Sequence, residues 1–96
     1  MSQHQAAGPP WFWLRGDGGA GRALAGARHT VGLTQAEIAR RLGMDRTTVI
    51  DIEAGRNTAV NRFVGLFNRM GYDLIAVPRG ASVTVEAGNE GEPFHE

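Results

Sequence analysis

Thr34 and Glu37 stand three residues apart at the head of an apolar-periodic run, with Leu33 before the pair and Ile38 after it. A threonine in that place accepts from the backbone amide three residues on, while the glutamate reaches back to the threonine's own amide. Two donors that a helix start leaves unpaired are then satisfied together. Leu33 and Ile38 fill the flanking apolar positions that fix how the chain enters the helix. The pattern predicts a short helix over 35–42, with Ile38 and Leu42 inward and Gly43 as its stop. Asp45 predicts a cap for a third helix over 46–53, whose inner face is Val49 and Ile52 and which Gly55 ends.

The flanks extend this pair. Asp17 predicts a cap for a helix over 18–31 with Ala20, Leu24, Ala27 and Val31 on one face, weakened in its first turn by Gly18, Gly19 and Gly21. Thr58 starts a fourth helix over 59–70, carrying Val60, Phe63, Val64, Phe67 and Met70 at helical spacing and closed by Gly71. Connections this short predict a compact, mainly α domain of four helices over 17–71. The period then changes: 72–77 and 82–87 alternate and favour strand, with Pro78-Arg79-Gly80 between them. A lone hairpin is marginal in water, so this β segment, 72–87, needs a neighbour. Residues 1–16, with Pro9-Pro10 ahead of Trp11, Phe12 and Trp13, are expected to form an extended arm. Those aromatics either cover a core edge or dimer interface or anchor a partner. The tail over 88–96 is rich in Gly and Glu and is expected to be disordered, with Phe94 as plain solvated chain or as a partner-binding peptide.

Composition removes several functions. There is no cysteine, so disulfide frameworks and thiolate chemistry are excluded, and His4, His29 and His95 have no zinc-ligand spacing. No nucleophile–base pair is apparent, so the expectation is a protein that is not an enzyme and uses no cofactor or metal. No apolar run approaches the ~20 residues of a membrane span, and no basic region precedes an apolar stretch at the N-terminus. A cytoplasmic protein is expected. The net charge of zero is divided: all ten basic residues are Arg and lie within 1–79 against six acids, whereas 80–96 holds four Glu and no base. A basic body suits an anionic partner, although solvated charge would look the same.

Helices at 35–42 and 46–53 across a turn that begins with Gly43 form a helix-turn-helix pattern. Ala39 is small where the helices cross, and with Val49 and Ile52 inward, Arg46, Thr47 and Asp51 lie on or near the free face of the third helix. A recognition helix presents such N-terminal residues to base edges in the major groove. The runs Leu33-Thr34-Gln35-Ala36-Glu37-Ile38-Ala39 and Ile52-Glu53-Ala54-Gly55 closely resemble the Xre/Cro family, the class of the phage repressors, over about 18–71. The resemblance implies base contacts from Arg46, Thr47 and Asp51. It implies a phosphate contact and a bracing role for Gln35, backbone grip by Arg56 and Asn57, and a structural ion pair between Arg28 and Glu53. Arg40 and Arg41 are either plain helix surface or phosphate ligands. Two positions depart from the family pattern. Asp51 repels phosphate; it either accepts from a cytosine amine or holds Arg46 or another Arg. Ile50 either touches a thymine methyl or packs against the following loop.

Arg69-Met70-Gly71 followed by Tyr72-Asp73-Leu74-Ile75-Ala76-Val77-Pro78-Arg79 resembles the HipB-type antitoxins. There a strand after the last helix pairs with its copy in a second subunit. This implies a homodimer joined through Leu74, Ile75, Ala76 and Val77, double-stranded DNA with a palindromic operator as ligand, autoregulation of an operon, and a HipA-like kinase toxin as partner. A stand-alone phage-type repressor, or an interaction module that has lost DNA binding, are the alternatives.

Overall fold

The structure, a computed structural model, describes residues 10–86. The start of the N-terminal arm and the acidic tail with Phe94 therefore lie outside the described residues. The elements run β1 (Phe12–Leu14), α1 (Gly19–Thr30), α2 (Gln35–Leu42), α3 (Arg46–Glu53), α4 (Thr58–Arg69) and β2 (Leu74–Ala76). The architecture is a helical body closed on one side by a two-stranded sheet.

Local chemistry accounts for the helix ends. Thr34 Oγ1 accepts from the Glu37 amide at 3.0 Å, and Glu37 Oε1 accepts from the Thr34 amide at 2.7 Å, so the capping box is complete. The hydrogen bonds from Thr34 hold the Glu37 carboxyl below its ordinary range, helped by the nearby Arg40 and Arg41. Gly43 takes φ 66°, the left-handed corner that lets α3 turn back across α2. Three caps differ from expectation. α1 is entered through Gly18 at φ 76° with no side-chain cap, so Asp17 does not serve. Asp45 occupies the cap position of α3 without bonding an amide. Asn57, not Thr58, caps α4, its side chain accepting from the Val60 amide at 3.0 Å.

The core is made of small side chains: Ala20, Ala23, Ala39, Val49 and Val64 are all buried. Small residues let helix axes approach. At Gly21 the approach is closest, because a Cβ there would run into the carbonyl oxygens of Ile52 and Glu53 on α3. The apolar arc of α4 is wider than its covered face. Val64 is buried, yet Phe63 and Leu66 are 61% and 62% exposed, which corrects the inward placement of Phe63. Leu42 and Val31 are also exposed, because each sits at a helix end where no element of the described chain covers it.

The sheet corrects the largest expectation. β2 does not form a hairpin with the described part of 82–87, since residues 81–86 hold no strand. Its partner is β1, antiparallel, with Phe12 opposite Ala76, Trp13 opposite Ile75 and Leu14 opposite Leu74. The arm thus supplies the neighbour that a lone strand requires. Phe12 seats on α1 over Gly26, where a Cβ would come within 2.5 Å of the ring. Arg15 clasps Asp73 with Nε on Oδ1 at 2.9 Å and Nη2 on Oδ2 at 2.7 Å, and stacks 3.9 Å from the centre of the Trp13 ring. Trp13 in turn meets Trp11 edge-on at 5.0 Å.

Candidate nucleic-acid interface

The third helix is held by one carboxylate. Glu53, at its last turn, receives Arg28 Nε on Oε2 at 2.6 Å, and on Oε1 both Arg28 Nη2 at 2.9 Å and Gln35 Nε2 at 3.0 Å. Arg28 Nη1 also donates to the Leu33 carbonyl at 2.8 Å. Both side chains of the ion pair are more than nine-tenths buried, so α1, the loop after it, α2 and α3 meet at a single charged joint. Hydrogen bonding from Arg28 holds the Glu53 carboxyl below its ordinary range; burial opposes this and Gln35 assists it. Gln35 therefore spends one amide N–H on bracing α3 and keeps the second, at the first turn of α2.

With Val49 buried, 100° per residue places Thr47 and Asp51 about 160° away on the outward face of α3. Arg46 and Thr47 are exposed, and Arg46 makes no hydrogen bond or ion pair with another described residue. Its guanidinium is available at the start of the helix. Ile50 is half-buried at the flank. Asp51 does not hold Arg46; it pairs with Arg56, whose Nε and Nη2 lie 3.2 and 2.9 Å from Oδ1. Asn57 spends its carbonyl oxygen on capping α4, leaving its amide nitrogen to donate. Arg40 is exposed on α2. In β2, Leu74 and Ala76 are half-buried and Ile75 is exposed, as is Val77 just beyond it, so one face of the strand is covered.

A shallow depression of about 680 Å³ runs between the end of α1 and the starts of α2 and α3, lined in part by Arg28, His29, Thr34, Gln35 and Arg46. It brings together Gln35 and Arg46, which are separated in sequence. His29 carries no functional signal in the sequence beyond its adjacency to Arg28. Such a depression, with the Arg46 guanidinium at a helix start beside an exposed helix face, offers donors to a phosphate backbone and side chains to base edges.

A short helix fixed from behind by a buried ion pair, with its opposite face clear, defines a helix-turn-helix DNA-binding protein. Residues 20–67, half of the chain, match the helix-turn-helix domain family, and the chain belongs to that family. No curated protein and no solved structure matches it. No helix among the described residues is long and apolar enough to cross a membrane.

Proposed function

We propose that the chain is a sequence-specific transcriptional regulator that binds a palindromic operator as a homodimer and serves as antitoxin and autorepressor of a HipBA-like toxin–antitoxin operon. The observation that carries DNA reading is the outward face of α3. It offers Arg46 and Thr47 in the first turn and Asp51 a turn later on a helix that Glu53 locks to α1 and α2. Gln35, which shares a depression with Arg46, would hold a phosphate in this reading, as would Arg40 and Asn57. The Tyr72–Arg79 segment and its resemblance to the HipB-type antitoxins support the finer assignment, with a HipA-like kinase as the toxin.

Arg46 carries most of the base discrimination in this reading, with guanine as its target, since a guanidinium matches O6 and N7 together. On duplexes selected from a randomised pool, Arg46→Ala should cost about 1–3 kcal/mol and relax preference at one base pair. Unchanged selectivity would place the reading face elsewhere. A wild-type chain that enriches no sequence would turn the assignment towards a protein-interaction module.

Dimerisation is supported by two surfaces of the fold. The edge of β2 away from β1 is unpaired among the described residues, and Phe63 and Leu66 of α4 stand exposed. A second copy that covers them would set two recognition helices about 34 Å apart. Light scattering is expected to give about twice the chain mass of 10.3 kDa. A monomer at micromolar concentration would count against the palindromic operator.

A further inference from the structure

The turn after α3 fixes Arg56 against Asp51 twice. Gly55, at φ 79°, reverses the chain, so that its amide donates to the Ile52 carbonyl at 3.0 Å and the Arg56 amide to the Asp51 carbonyl at 2.8 Å. This is the Schellman arrangement, and it sets the residue two beyond the helix end over the residue three before it. An apolar pair commonly fills those two places. Here they hold an ion pair, with both guanidinium donors on the same carboxylate oxygen, Oδ1. Oδ2 has no hydrogen-bond partner among the described residues, and Asp51 lies on the outward face with Thr47.

A bare carboxylate on a recognition face is repelled by the duplex phosphates. A cation held on its far oxygen offsets that charge and orients the remaining lone pairs. We propose that Asp51 is a specificity determinant that accepts a hydrogen bond from a cytosine N4 amine through Oδ2. Arg56 is its positioning residue rather than a phosphate ligand. Cytosine is the base that offers a carboxylate a major-groove donor with no acceptor beside it on the same edge. Adenine sets N7 next to its amine, and guanine and thymine present acceptors. The inference rests on the DNA-binding reading above and refines which base pair it reads.

The test uses the full chain and duplexes selected from a randomised pool, with affinities measured for all four base pairs at each selected position. Both side chains are at the surface, 62% exposed for Arg56 and 42% for Asp51, and circular dichroism of each variant checks that the fold is retained. The wild type is expected to favour cytosine at one position by about 5- to 30-fold, the low end of a base-edge contact. Asp51→Ala and Arg56→Ala should each flatten that position while leaving the others. In the Asp51→Asn background, where no charge remains to neutralise, Arg56→Ala should have no further effect. In that background Arg56→Ala should also leave the salt dependence unchanged. The inference is overturned if Arg56→Ala weakens every sequence alike, lowers the salt slope by about one unit and does so equally in the wild-type and Asp51→Asn backgrounds, because that is the behaviour of a phosphate ligand. It is equally overturned if Asp51→Ala changes no position. Absence of any selected sequence would instead remove the DNA-binding reading on which it rests.

Discussion

Glu53→Ala is expected to lower the unfolding free energy by about 3 kcal/mol, because it leaves the Arg28 guanidinium buried without its counter-charge and takes the acceptor from Gln35. DNA affinity should fall with it, since α3 loses the joint that sets its angle. Denaturant unfolding monitored at the helical circular dichroism band measures the first effect. An unchanged midpoint would mean that the joint is not where the helices are tied. The same group ties stability to pH. Its carboxyl is held below the ordinary value in the folded chain by Arg28 first and by Gln35 as well. Its contribution is therefore complete above the ordinary glutamate value of about 4.3, and is lost as pH falls through the lower folded value. Glu53→Gln should remove that part of the acid sensitivity.

Gly21→Ala should destabilise the protein by about 2–3 kcal/mol, the cost of overpacking a close helix crossing, against the direction that helix propensity alone would give. In an open helix, Ala is favoured over Gly by about 1 kcal/mol. At Gly21 the added methyl would meet the Ile52 carbonyl oxygen, and the Glu53 carbonyl oxygen lies 2.7 Å from the same point. Both belong to backbone, which cannot rotate away, so α1 and α3 must separate and the core alanines between the helices lose contact. Gly65 is the control: nothing lies within 4 Å of a Cβ there, and Gly65→Ala should be neutral or stabilising. A melting temperature for Gly21→Ala at or above the wild type would contradict the close approach.

The helix-turn-helix is readable because its determinants are local. Thr34, Glu37 and Gly43 act on amides within a few residues of themselves, so sequence spacing states the geometry. Asp51 is legible as an anomaly on the recognition face, but its partner is not, because the Gly55 turn that brings Arg56 over it is a three-dimensional fact. The misplaced residues have a common cause. Periodicity says which side of a helix is apolar, not whether a neighbour exists to cover it, so Phe63 and Leu42 fit the inward pattern and yet face outward. Asn57 suits a phosphate and Thr58 a cap on sequence alone, although either polar side chain can start a helix. β1 is invisible for a different reason. A three-residue strand after Pro9-Pro10 carries no period of its own, and its identity depends on a partner near the other end of the chain.

That last pairing bears on how the molecule is built. The helices contact neighbours close in sequence and can assemble as the polypeptide emerges, whereas Arg15 must wait for Asp73, 58 residues later, before the clasp closes. Ring closure over such a span carries an entropic cost, which the seating of Phe12 on α1 offsets only in part beforehand. The pairing of β1 with β2 is thus among the last contacts to close. Until β2 has been synthesised, Trp11, Phe12 and Trp13 have no strand to join, and a chain halted just short of it would hold β1 by its packing on α1 alone.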